Sequence, residues 1–407
     1  MQKKYILIFL AFLLLNIFGW IILPAVELGY GIPILVKYFL SIFVLGILIW
    51  YRATNPSKPE PGAFFNILLI FFVVWSVILV LLALFKYDGL FFLQRILAIK
   101  YFFIPYLLPL ILLYIKFDLE FFGELFHVSF LFLIPSLIIQ SLVLLINVSQ
   151  TNWLAQSSLI GIFDIGLVLL LLTAHIFRKK YIFYFALCYY LLWVLLWSLY
   201  GRRGMLVNSV FVLLFMVIIR FRSTFLTFND RLKMVVSTFL LILLFLAYGY
   251  LFTSTYVFQR GFSMDAVTQS RGTVFEAFFY DFKSTTDWIF GRGLDGTVLR
   301  SFNSYSQFSQ IENGFLTILL KGGLLYSIPF VIILLRASYL GFFRSKNDLA
   351  KALASIIFIH VIMMVSFNLP EYSTYYILVW ISVSACFTPS IRNCSNEEVY
   401  QVINSRF

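Results

Sequence analysis

Apolar runs close to the ~20 residues that an α-helix needs to cross a hydrocarbon core recur from one end of the chain to the other. They lie near 5–26, 31–50, 63–85, 92–115, 125–148, 157–177, 181–200, 204–220, 234–253, 313–337, 352–369 and 373–390. This succession predicts an all-α, polytopic membrane protein of about twelve transmembrane helices. Little chain is left for a soluble domain, so residues 1–407 read as a single integral membrane domain. Composition agrees: 62% of residues are hydrophobic, 12% are charged and mean hydropathy is +0.97. Soluble domains are roughly half apolar and a quarter charged. The opening MQKKYILIFLAFLLLNIFGWIILPAV has a basic head, an apolar run too long for a signal peptide and no small-residue cleavage site, and so reads as the first membrane helix. The fourth run carries Arg95 and Lys100 in its first half, which snorkelling or a water-filled cavity would have to accommodate.

Charge placement orients these helices. Lys and Arg number 30 against 18 Asp and Glu. In a soluble chain that excess would suggest nucleic acid, whereas here topology absorbs it. With the N-terminus cytoplasmic, inward loops carry Arg52 and Lys58, Lys116, Arg178 to Lys180, Arg220, Arg222, Arg231 and Lys233, then Arg344, Lys346 and Lys351. Every inward loop then satisfies the positive-inside rule. The other face receives short connections and one long extracytoplasmic loop, residues 253–312, between helices nine and ten. No internal repeat, low-complexity tract or heptad pattern is visible.

Cys188, Cys386 and Cys394 are scattered and imply no disulfide framework. His127, His175 and His360 also stand alone, without a spacing that places two ligands on one helical face. No metal or other cofactor is expected.

Arginines on the outward side are the anomaly, because positive-inside sorting predicts few there. They are Arg202 and Arg203 in GRRG, then Arg260, Arg271, Arg292 and Arg300 on the long loop. A guanidinium is a permanently charged planar fork suited to phosphate oxygens, so several converging at the membrane surface would hold a lipid pyrophosphate. The competing reading is solvated loop charge balanced by Asp265, Glu276, Asp281, Asp287 and Asp295. GRRG joins two helices with almost no loop, which fixes its arginines at the interface. The cluster GRGLDG, Gly291 to Gly296, lacks the spacing, preceding strand and βαβ context of a nucleotide-binding turn. Its glycines Gly291 and Gly293 suit a tight turn against a ligand or a neighbouring helix.

Glu312 and Asn313 open the tenth helix. A carboxylate near a helix N-terminus stays ionised and is placed to accept a proton from an attacking hydroxyl, while the alternative is ordinary first-turn capping. Glu27 and Asp164 are secondary candidates for the base. Loop aromatics Phe278, Phe279, Tyr280, Trp288, Tyr305 and Phe308 offer faces for sugars or cover for the membrane surface.

Taken in order, GRRG opening a helix, SRG at Ser270 to Gly272, WIFGRGLDG at Trp288 to Gly296 and ENGFLTILLKGGLL from Glu312 resemble the bacterial O-antigen polymerase and O-antigen ligase superfamily, closest to the polymerase branch. The resemblance covers helices seven to ten and otherwise rests on helix count and hydropathy. It implies a C-type glycosyltransferase-like fold and metal-independent transfer from undecaprenyl-pyrophosphate-linked glycans. It also implies that Arg202 or Arg203, with Arg271, hold the pyrophosphate. On the reading of the residues themselves, Arg260, Arg292, Gly291, Gly293 and Asn313 are expected to line the substrate site. Glu312 stands where the ligase pattern has a histidine, which favours a polymerase over a ligase. The expected function is polymerisation of lipid-linked O-antigen or capsular repeat units in the bacterial inner membrane, on its extracytoplasmic face. Expected partners are the lipid-linked oligosaccharide, membrane lipid, a chain-length regulator and a flippase, but no nucleic acid. The alternatives are an O-antigen ligase, or a flippase or other transporter. A flippase would need charge along a central cavity and two comparable halves.

Overall fold

The computed structural model describes residues 32–85, 103–147, 167–199, 203–223, 227–229, 275–301, 304–308, 313–365 and 370–406, with isolated positions 5, 9, 10, 14, 232, 236 and 311. These residues are mostly helical. In chain order the elements are α1 (Ile32–Thr54), α2 (Ala63–Phe85), α3 (Ile104–Leu112), α4 (Leu119–Asn147), α5 (Leu167–Thr173), α6 (Lys180–Leu199) and α7 (Arg203–Arg222). Then come α8 (Thr285–Phe290), a hairpin of β1 (Val298–Ser301) and β2 (Ser304–Phe308), α9 (Gly314–Phe343), α10 (Asp348–Met363), α11 (Thr374–Phe387), α12 (Pro389–Asn393) and α13 (Asn396–Asn404). The strands pair antiparallel, Val298 opposite Phe308 and Ser301 opposite Ser304, with a register irregularity between Leu299 and Ser301. Among the described residues, α2 and α9 are long and apolar enough to cross a membrane.

Helix ends depart from the expected ones where a polar residue is satisfied by the fold. α4 starts six residues before the expected 125, because Asp118 accepts from the Phe121 amide at 2.9 Å and caps it. That cap is held from outside by the Tyr5 hydroxyl at 2.6 Å. α9 runs past 337 to Phe343, since Arg336 lays its guanidinium over Phe65 and donates to the Pro61 carbonyl at 3.0 Å. α10 begins at Asp348 because the Asn347 side chain accepts from the Ala350 amide at 2.8 Å. α13 falls outside the expected helices altogether; a capping box of Ser395 and Glu398 starts it, and only Val399 and Ile403 are buried. The expected helices near 5–26 and 234–253 lie outside the described residues apart from isolated positions.

α9 is central to the packing. It meets α10 on small residues, with Ser338 Oγ donating to the Ala354 carbonyl at 3.0 Å, the kind of close approach that lets helix backbones pack tightly. Against α2 and α11 it builds an aromatic core, in which Phe72 packs 5.2 Å from Tyr326 and 6.1 Å from Trp380. Each such pair contributes about 0.5–1.5 kcal/mol beyond its burial. The outer side of α2 exposes Phe64 and Ile67, each 70% accessible.

Loops that carry basic residues gather at one end of this bundle. Ser57 donates to Tyr114 and Lys116 to Asn55, while Lys346 donates to the Arg392 carbonyl and Arg178 to the Asn404 side chain. His175 bridges to Asp348 at 2.9 Å, and the Asp348 amide donates to Asn396. Residues 275–301, with Ile311, sit at the other end of α9, against its first turns.

Candidate functional site

A kink in α9 organises this second end. Gly323 takes φ 62° and ψ −166° inside the helix, which breaks the ladder of carbonyl acceptors. Two carbonyls next to the break find new donors: Leu320 accepts from the Arg292 amide at 2.7 Å, and Gly322 accepts from the Trp75 indole of α2 at 3.1 Å. The kink also admits Gly291, at φ 75°, which ends α8. A Cβ on Gly291 would lie 2.6 Å from the Gly323 nitrogen, and one on Gly323 would strike the Ile289 carbonyl. Two glycines are therefore required, face to face. The turn GRGLDG lies against a neighbouring helix.

Arg292 locks that turn. Its Nε and one terminal nitrogen reach Asp287 at 3.0 and 2.9 Å, while the other terminal nitrogen reaches Asp281 and the Thr297 carbonyl at 2.8 Å each. A further bond runs to the Asp281 carbonyl at 2.8 Å, so all three guanidinium nitrogens are engaged. Burial works against the charge, but the two aspartates more than offset it and hold the Arg292 pKa above its ordinary value. Asp281 also accepts from the Leu299 amide at 3.2 Å, which ties β1 to the same node. Of the two readings of Arg292, phosphate grip or loop charge balanced by aspartates, the geometry matches the second, with Asp281 and Asp287 as its partners. Gly293, at φ 82°, allows the turn to close, with the Gly296 amide donating to the Gly293 carbonyl at 2.9 Å.

The loop has an apolar core of its own. Phe278, Phe282, Val298 and Ile311 bury against Leu316, Leu319 and Leu320, positions spaced to share one face of α9. Phe278 is fully buried, which removes it as a sugar-stacking face, and Trp288 packs on this cluster with Phe279 stacked 6.1 Å away. Phe279 and Tyr280 remain about half exposed. Lys321, buried one residue before Gly322, donates to the Gly296 carbonyl at 2.8 Å and fastens the turn from the helix side.

Asn313 is the N-cap of α9. Its side-chain oxygen accepts from the Leu316 amide at 2.9 Å and its nitrogen donates to the Val365 carbonyl at 2.6 Å, while the Gly314 amide donates to Met364 at 2.7 Å. The start of α9 is thereby fixed to the end of α10. α7 begins at Arg203. Arg202, Arg260, Arg271 and Glu312 lie outside the described residues, as do Glu27 and Asp164. The structure thus brings together Gly291, Arg292 and Gly293, with Asn313 at the head of the helix they pack on. Sequence reasoning overlooked Lys321, Gly322 and Gly323 as builders of the site. The signal was present, since a lysine followed by two glycines inside an apolar helix breaks two rules at once.

Comparison with known protein families, curated proteins and solved structures finds no match.

Proposed function

We propose that this chain is a metal-independent membrane glycosyltransferase of about twelve spans, which polymerises lipid-linked oligosaccharide repeat units at the extracytoplasmic face of a bacterial inner membrane. The observation that carries the reading is the clamped turn from Gly291 to Gly296, held on a kinked helix whose cap is Asn313, the residue after Glu312. A rigid turn at a helix head is a scaffold on which an exposed loop can position reacting groups. The apolar exterior of α2 suits hydrocarbon, and the separation of basic loops from this segment fits an inner and an outer face.

In the reaction a sugar hydroxyl oxygen of one lipid-linked unit attacks the anomeric carbon of another. The bond from that carbon to undecaprenyl pyrophosphate breaks, and its electron pair leaves with the pyrophosphate. Arg271 and one or both of Arg202 and Arg203 stabilise the growing negative charge, and Arg260 adds to the same field. Glu312 takes the hydroxyl proton. Arg292 shapes the loop. Phe279 and Tyr280, exposed beside the turn, offer faces to sugar rings.

The residue that tests this reading most sharply is Glu312. Glu312→Gln keeps shape and hydrogen bonding but cannot accept a proton, so turnover on purified lipid-linked units is expected to fall by roughly 10²–10⁴ with binding of the donor retained. A normal polymer ladder from this variant would remove Glu312 as the base and shift attention to Glu27.

A further inference from the structure

Below the kink the interior of the bundle is polar in a way the reaction does not use. Tyr106 of α3, Tyr326 of α9, and Tyr376 and Trp380 of α11 are fully buried, yet neither the three hydroxyls nor the indole nitrogen has a hydrogen-bond partner among the described residues. Their rings are neighbours: Tyr106 lies 5.4 Å from Tyr326, and Tyr376 lies 6.2 Å from Trp380. Phe72 touches both halves, at 5.2 Å from Tyr326 and 6.1 Å from Trp380. Phe330 also joins the two halves, 5.7 Å from Tyr326 and 5.8 Å from Trp380. Four unsatisfied polar atoms from three helices at one place are rare, since buried hydroxyls and indoles almost always find a partner.

We propose that Tyr106, Tyr326, Tyr376 and Trp380 enclose a small cluster of buried water molecules, a hydrated pocket inside the apolar bundle. The chemistry is complementary. Three hydroxyls each donate and accept and the indole only donates, while a buried water typically makes about three hydrogen bonds to groups that lack other partners. His360 extends the polar lining. It is 1% exposed, neither of its ring nitrogens has a partner among the described residues, and its ring lies 5.7 Å from that of Tyr376. The pocket also adjoins the kink, because the Tyr326 side chain fills the space beside Gly322, where a Cβ would meet the Tyr326 Cγ at 2.7 Å. One residue is thus shared between the helix break under the loop and the water below it.

X-ray radiolytic footprinting of the full-length wild-type protein in lipid nanodiscs tests this directly, since hydroxyl radicals formed from bound water label the side chains around it. The internal control is Tyr372, 4% exposed, whose hydroxyl donates to the Ser41 carbonyl at 3.3 Å. Labelling of Tyr106, Tyr326 and Tyr376 on the order of tenfold faster than that of Tyr372 is expected for side chains that hold water. Labelling of all three at the rate of Tyr372 or slower would overturn the proposal. Tyr326→Phe should then slow labelling of Tyr376 several-fold while leaving Tyr372 unchanged. If the Tyr376 rate stays the same, the hydroxyls do not share water and the cluster is refuted.

Discussion

Charge holds both ends of the bundle, but in opposite ways. At the loop end, Arg292 draws its carboxylates from Asp287 and Asp281, five and eleven residues away, and all three side chains keep 22–26% of their surface exposed. At the other end Asp348 is wholly buried and joins segments remote in sequence: His175 lies 173 residues away and Asn396 lies 48, with Lys351 closing the group. The first network folds a loop upon itself, and the second staples the bundle. The loop closes its charges upon itself and rests on α9 through two glycines, Lys321 and an apolar patch on Leu316, Leu319 and Leu320. The difference suits a site whose geometry is set locally on a frame whose stability is set elsewhere.

Asp348 is the residue on which the buried end depends most. Removing one partner of a buried ionic group leaves the others uncompensated, at a cost of about 3–5 kcal/mol. Asp348→Ala should therefore show the largest loss of thermal stability among single variants at either end, with activity per folded molecule kept. Loss of activity at full stability would place the functional site at the wrong end.

Gly323→Ala comes next. The added Cβ meets both a positive φ and the Ile289 carbonyl, and local strain of this kind costs about 1–3 kcal/mol. The loop, not the bundle, should absorb it. Limited proteolysis within 275–311 is expected to accelerate, activity to drop and the main unfolding transition to move little. A loop as resistant as wild type would mean that the contact between the turn and the kink is dispensable.

Ser395→Ala, which deletes half of the capping box on α13, is expected to cost only about 1 kcal/mol. Activity should not change, because α13 docks at the basic end. A variant that lost activity while remaining folded would show that the two ends communicate.

Much of the helical framework was legible from apolar run length alone, and α2 begins and ends where expected, at 63 and 85. Boundaries failed where a charge was read as loop. The expected helix begins at 125, yet Glu124 lies buried inside α4 with Arg406 at 3.3 Å. Run length cannot register a partner 282 positions away. The turn at Gly291 was legible because glycine has narrow backbone uses, and capping was foreseen at the head of the helix but for Glu312, whereas Asn313 carries it. The role of Arg292 was not legible. Its balancing aspartates were in view, but whether a guanidinium faces two carboxylates or open solvent depends on how α8 and β1 fold back, which residue type does not encode.

The central claim, glycan transfer from a lipid pyrophosphate donor, stands or falls on one reaction. Purified wild-type protein is mixed with undecaprenyl-pyrophosphate-linked repeat units and a chelator, without nucleotide sugar, and the products are resolved on a gel. A ladder of polymers on the lipid carrier is the predicted result. Single units throughout, alongside movement of the same substrate across sealed vesicles containing the protein, would contradict the claim and make the chain a transporter.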